Sequence, residues 1–252
     1  MRNGIRGADV IDPTGLSPVE KGSFINSLYQ LHLRIFDGVD RNTFVSYVVD
    51  SPSDRTRIRV YKNSVNEWVG YCAVHRFNTR VFDRPYVIFR AEAGILREYR
   101  GRSQTLWFGF YEAIKYRLKH PFCSLYYLGS FVHPGVLYMF SRYFTEYCPR
   151  SDAPMPKRIK NLIIELADIF HLEAVEGQDV LVRKVGWITR ESDEDKKFWQ
   201  NHTHPIIKLY IKTNPGYVKD YGLLTLVPLT FGNIFMSLFK FMKNKVVRHF
   251  AQ

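Results

Sequence analysis

The stretch GILREYRGRSQT, residues 94–105, decides how the rest of this chain is read. It closes YVIFRAEAGIL, residues 86–96, whose β-branched and aromatic run predicts a strand buried on at least one face. It leads into a segment, about Ser103 to Lys119, where Leu106, Phe110, Ala113, Ile114 and Leu118 recur at helical spacing. A strand that ends in such a loop and feeds a helix start makes an anion site. The first N–H groups of a helix lack internal partners, and its dipole adds about half a positive charge there. Gly101 permits close backbone approach to a ligand. Arg97, Arg100 and Arg102 add full charges, so a phosphate is a guest this loop suits; the competing reading is a plain basic turn capped by Ser103. The loop is neither a Walker loop nor a GxGxxG dinucleotide fingerprint.

Upstream, Ser17 caps a helix, Pro18 suits its first position, and Glu20 stands three residues after the cap. Phe24, Leu28, Leu31 and Ile35 form its apolar stripe and Gly38 ends it; a second short helix is predicted over Arg41–Val49. Then TRIRVYKN and WVGYCAVHRF read as strands around the turn SVNE, and NTRVFDRP reads as a loop before the third strand. Short connections make consecutive antiparallel strands the economical arrangement. Downstream, SLYYLGSF is a fourth strand and HPGVLYMFSRYF a helix with Pro134 at its start. The proline-rich CPRSDAPMP, residues 148–156, is the best linker. Beyond it come a helix over Lys157–Phe170, a strand over Asp179–Thr189 and an acidic helical stretch, ESDEDKKFW. LYIKTN and LLTLVPL read as a strand pair, and a helix over Phe231–His249 closes the chain.

Strand, then GILREYRGRSQT, then amphipathic helix resembles the acyl-CoA-binding loop of the GCN5-related N-acetyltransferase superfamily. The resemblance covers roughly residues 17–145, with VYKNSVNEWVGYCAV as the central hairpin. It implies an α/β (α+β) fold with a mixed, mainly antiparallel sheet flanked by helices. Onto this, the chain adds an inserted segment and a C-terminal amphipathic helix. The expected organisation is a core over 1–147, a helix-strand-helix insertion over 148–205, and a closing strand pair with the final helix over 206–252. The resemblance implies acyl-CoA as co-substrate, its pyrophosphate held by backbone N–H groups from Arg100 through Gly101, Arg102, Ser103 and Gln104 to Thr105. Arg97 adds charge beside the loop. The pantetheine arm would pair with the strand near Ala93–Leu96, which includes Ile95. Ser103 and Thr105 stand where the family prefers Gly and Gly or Ala.

Three residues are candidates for catalysis. Arg90 and Glu92 share one face of the third strand, while Phe89 and Ala91 point the other way. Amine attack on a thioester needs a proton acceptor, and a half-buried carboxylate such as Glu92 suits that task; the competing reading is an ion pair with Arg90. His133 precedes helical Pro134 and is a second candidate base or an N-cap. The resemblance also implies a tyrosine on the following helix that protonates the leaving thiolate, and Tyr138 and Tyr143 are both available there. His75 reads as a satisfied core or cleft histidine. His202 and His204 have no third ligand nearby, so no metal is expected.

Of the 252 residues, 36 are Lys or Arg and 24 are Asp or Glu, and the net charge of +12 favours an anionic partner. An acidic acyl carrier protein is an alternative donor on that ground. The resemblance implies an amine of a small molecule or peptide as the acceptor. A basic module on nucleic acid is a rival reading, but the aromatic residues fall mostly at core spacings and no RNA-binding motif appears. Another rival is a membrane-peripheral protein with a degenerate cofactor site. Cys72, Cys123 and Cys148 form no CxxC and fit a reducing cytoplasm. Tyr221–Phe239 is uncharged over 19 residues but holds Pro228, Gly232 and Asn233, which argues against a membrane span. On the final helix Phe231, Ile234, Phe235, Leu238, Phe241, Met242 and Val246 gather on one broad face, suited to the core, to a membrane surface or to a long acyl chain.

Overall fold

The computed structural model describes residues 4–101 and 104–250, the stretch 244–250 in backbone only. The chain opens with β1 (Gly7–Ile11), α1 (Pro18–Leu33), the two-residue β2 (Phe36–Asp37) and α2 (Arg41–Val48). A meander of β3 (Arg55–Lys62), β4 (Trp68–Val81) and β5 (Arg84–Ile95) follows, then α3 (Gln104–Lys119), β6 (Leu125–Phe131) and α4 (Pro134–Tyr143). The second half supplies α5 (Lys157–Ile169), β7 (Val182–Lys184), β8 (Ile188–Thr189), α6 (Asp193–Gln200), α7 (Pro205–Thr213), β9 (Tyr221–Pro228) and α8 (Phe231–Phe250).

Seven strands form one sheet in the order β1-β3-β4-β5-β6-β9-β7. Every neighbouring pair is antiparallel except β5 with β6, which run parallel because α3 carries the chain back across the sheet between them. This is the mixed, mainly antiparallel sheet flanked by helices that the sequence implied. Side chains alternate between its faces. Cys72, Val74, Phe89, Ala91 and Ala93 face α3, whose Gly109 lies over Val74. Tyr71, Ala73, His75 and Glu92 face the other way, toward α1 and α2, and the Tyr71 ring meets Phe44 and His32 edge-on or tilted.

Local signals account for most elements. Ser17 and Glu20 form the reciprocal capping box of α1. Phe82 and Asp83 take positive φ, so NTRVFDRP is not a free loop: it extends both strands to a tight turn. Asn233, 1% exposed, accepts from the N–H groups of Thr145 and Glu146 and donates to the carbonyls of Glu146 and Pro228, stitching α8 to the end of β9.

Other segments differ from the sequence reading. LYIKTN belongs to α7, not a strand: Ile206, Ile207 and Tyr210 are its buried face, and His204 caps it ahead of Pro205. The strand expected over Asp179–Thr189 breaks into β7 and β8, separated by Gly186 at φ +81. β7 joins the large sheet, while β8 pairs with β2. The edge strand β1 had no counterpart in the sequence reading.

Candidate active site

β5 and β6 are paired only at Val87–Leu125, Ile88–Tyr126 and Phe89–Tyr127. Beyond these rungs β5 stays with β4 as far as Ile95, and β6 stays with β9 as far as Phe131, so the two strands part. The opening is a cleft that passes through the sheet. On the α3 side its walls include Thr105, Leu106, Phe110, Met139 and Phe140. On the opposite side they include Phe36, Tyr47, Arg90, Glu92, Lys184 and Trp187. The edge of β5 from Arg90 to Ile95 that faces the cleft is not paired with β6.

The loop after β5 leads to the start of α3. The Tyr61 hydroxyl donates to the Gln104 carbonyl at 3.0 Å, and the Cys72 thiol lies 3.5 Å from the Thr105 carbonyl, which fixes the first turn of α3 against the sheet. Burial holds the Cys72 thiol far above its usual range, so it stays neutral. Gly101 has φ +95, and a Cβ built there meets nothing within 4 Å; its glycine is required by backbone conformation, not by crowding. Arg97 bonds Asp195 on α6 at 2.8 Å, and Arg100 donates to the Ile95 carbonyl at 3.0 Å. Thr105 lines the cleft, while Ile95 and Leu96 close β5 and enter the loop. Arg102 and Ser103 lie outside the described residues.

Glu92 is 15% exposed by side chain and opens onto the cleft. Its neighbour is not Arg90, whose guanidinium sits 5.0 Å over the ring of Phe170. Instead His75 Nε2 lies 2.8 Å from Glu92 Oε2. Tyr127, across the parting on β6, stands on the α3 face beside Phe89. Burial, and then the negative charge of Glu92, hold its phenol well above its usual range, so it is protonated.

His133 is engaged twice. Its Nδ1 accepts the Gly135 N–H and caps α4, so the proton belongs to Nε2, which lies 2.5 Å from Glu191 Oε1. The Glu191 side chain is 4% exposed; burial, and then the Glu191 charge, pushes the nearby Tyr217 up to about 12. Tyr138 packs against His204 and His202 on the far side of α4, away from the residues that line the cleft. Tyr143 is buried, with its ring near Trp107 and Phe241. His202 and His204 each accept a backbone N–H two residues on, and among the described residues no group of three His, Cys, Asp or Glu is placed to hold a metal.

The sequence reading therefore gathers Glu92 and Thr105 at the cleft and leaves Tyr138 outside it. It did not single out Tyr127 on the cleft wall, nor the contacts made with His133 and Arg97 by Glu191 and Asp195 of the insertion. Their acidic stretch was visible; its long-range partners were not.

No family model matches the chain, and no curated protein matches it. In three dimensions the chain is similar to NAA60 of Arabidopsis thaliana, solved with acetyl-CoA: 15% identity, 56% of this chain and 87% of that one, TM-score 0.38. It is similar to a mutant of the BH1408 protein of Bacillus halodurans at 11% identity over 60% and 99% of the two chains, TM-score 0.35. A GNAT family acetyltransferase of Staphylococcus aureus matches at 9% identity over 48% and 84%, TM-score 0.30.

Proposed function

We propose that this chain is an N-acyltransferase that moves an acyl group from acyl-CoA to the amine of a small molecule or peptide. The observation that carries this reading is the parting of β5 and β6 directly before the start of α3. In it, the cofactor pyrophosphate rests on the N–H groups at the α3 start. The pantetheine amides take the place of the missing rungs along Arg90–Ile95. The amine approaches from the opposite face, and Glu92 takes its proton as the nitrogen–carbon bond forms. Backbone N–H groups of the parted strand stabilise the developing oxyanion. The carbon–sulfur bond breaks and the sulfur is protonated from the Tyr127 side, so the proton lost by nitrogen is matched by the one gained by sulfur. His133, already committed to capping α4 and to Glu191, is the weaker candidate base.

The apolar wall formed by Leu106, Phe110, Met139, Phe140, Phe144 and Leu229 favours a donor longer than acetyl. An acyl carrier protein remains the alternative donor, with the net charge of +12 as its support. The test is turnover with acetyl- to palmitoyl-CoA and with the matching acyl carrier proteins, read by mass spectrometry over a panel of amines. Acylated product from any donor supports the reading; binding of none of them by calorimetry overturns it.

A second observation favours contact with a membrane surface. Phe235, Phe239 and Met242 follow one another along one side of α8 and are 68%, 53% and 57% exposed, with Lys243 exposed beside them. An apolar stripe of this kind beside cations suits an anionic bilayer surface. No helix among the described residues is long and apolar enough to cross a membrane.

A further inference from the structure

Behind Glu92, on the side away from the cleft, a line of polar groups leads out of the core. His75, 1% exposed, places Nε2 at 2.8 Å from Glu92 Oε2, off the line of the ring N–H. Its Nδ1 lies 2.9 Å from Thr56 Oγ1. Thr56 Oγ1 lies 2.9 Å from Ser53 Oγ, on the half-buried turn before β3. The line crosses the register of the sheet, since Thr56 is paired with His75 and His75 with Arg90.

We propose that Thr56 and His75 are positioning residues for Glu92: Thr56 fixes the imidazole tautomer, and the imidazole, through Nε2, keeps the carboxylate aimed into the cleft. This rests on the reading of Glu92 as the base. The polarity of the line follows from electrostatics. A bare Nε2 lone pair at 2.8 Å from a carboxylate oxygen would repel it, so Nε2 carries the proton. Nδ1 is then an acceptor, and the Thr56 hydroxyl, with no other role at that ring, donates to it. Ser53 in turn donates to Thr56 Oγ1. A buried imidazole hydrogen-bonded to Thr56 through Nδ1 and in polar contact with Glu92 through Nε2 cannot rotate without losing the first and displacing the second, and the carboxylate beside it inherits that order.

The other groups around the pair do not replace this one. Arg90 on β5 stacks on Phe170. Tyr71 and Cys72 on β4 and Tyr127 on β6 are held neutral by burial. Tyr71 is in any case bonded to His32 of α1 at 2.8 Å. Lys184 of β7, on the cleft wall, is half-exposed and 3.9 Å from Glu173. His75 is thus the polar partner in contact with the Glu92 carboxylate.

The experiment compares wild type, Thr56→Val, His75→Gln, His75→Leu and Glu92→Gln for acyl transfer across pH, together with nitrogen NMR of labelled histidine in the full chain without donor. The expected result in wild type is a His75 protonated at Nε2, with that assignment blurred or reversed in Thr56→Val. The acid limb of the pH–rate profile should move to higher pH in Thr56→Val and further in His75→Leu, with KM for the donor unchanged. His75→Gln, which keeps a donor toward Glu92, should restore part of the shift. If Glu92→Gln abolishes transfer while the folded Thr56→Val and His75→Gln proteins keep the wild-type acid limb, the positioning role is overturned and the base stands. If Glu92→Gln turns over normally, the base reading itself fails. Should His75→Leu not fold, Thr56→Val and the NMR tautomer still decide.

Discussion

Arg97, on the loop that precedes α3, places Nη2 at 2.8 Å from both carboxylate oxygens of Asp195, on a helix 98 residues further along the chain. The insertion therefore reaches the loop between β5 and α3 and occupies one of its cations. Both side chains are partly exposed, so the pair itself stabilises the fold by less than about 1 kcal/mol. In the proposed complex Asp195 competes with the phosphates of acyl-CoA for Arg97. Asp195→Ala is expected to strengthen CoA binding by about two- to fivefold at low salt, with the gain shrinking as added salt screens the exposed charges. Calorimetry at two ionic strengths checks this; a weaker complex at both would show that Asp195 holds the loop in its binding shape.

Gly101→Val tests the loop from inside. A Cβ there meets nothing within 4 Å among the described residues, so the strain of φ +95 is the cost the structure shows. A backbone forced out of that region should misplace the N–H groups of the turn, and CoA affinity should fall by more than about tenfold, or ~1.4 kcal/mol. The midpoint of thermal unfolding should change little. An unchanged dissociation constant in the folded variant would place the cofactor elsewhere.

Glu92→Gln keeps shape and removes basicity. Turnover should fall by roughly 10²–10⁴ with donor affinity preserved, and the acid limb of the pH–rate profile should disappear. Stopped-flow single turnovers separate this effect from any change in product release.

His32 links stability to pH. It is fully buried against Tyr71, and burial lowers its pKa to about 4 from 6.5, with Asp37 opposing weakly. The unfolded chain thus binds a proton that the folded chain does not between those values. Stability is complete above pH 6.5 and declines as pH falls toward 4, by up to about 3 kcal/mol from this group. Urea unfolding at pH 7.5 and pH 4.5 measures the difference, and in a folded His32→Phe protein this part of the slope should be absent.

The outer face of α8 is the test of membrane contact. Phe235→Glu with Phe239→Glu should abolish sedimentation with vesicles containing phosphatidylserine and leave turnover of soluble short-chain donors unchanged. Retention on the vesicles would assign that face to another occupant.

What the sequence disclosed depended on how local the cause was. The capping box of Ser17 and Glu20 and the apolar stripe of α3 are each written within a few residues of one another, and they were legible. The His-Pro start was read as a helix at His133-Pro134 and overlooked at His204-Pro205, where LYIK imitates the alternation of a strand; Lys208 and Lys212, four apart, carried the true period. Glu92 was legible as a residue facing the cleft, because strand alternation is a rule of period two. Its partner was not. His75 and Thr56 meet it through the registers of two hairpins, and a histidine's contact across a sheet leaves no trace in its own neighbourhood. The same holds for Glu191, whose partner His133 is 58 residues away.

The three rungs that join β5 to β6 also join two halves of the molecule: the meander of β1, β3, β4 and β5 on one side, and β6, β9 and β7 on the other. Where a sheet is sewn so briefly at its centre, hydrogen exchange should find the cleft-facing amides of β5 beyond Phe89 less protected than those paired with β4. A pantetheine arm laid along Arg90–Ile95 would act as a splint across that seam. Saturating donor should then raise the melting temperature in proportion to the logarithm of its concentration, and the protection gained should be concentrated along the mended edge of β5.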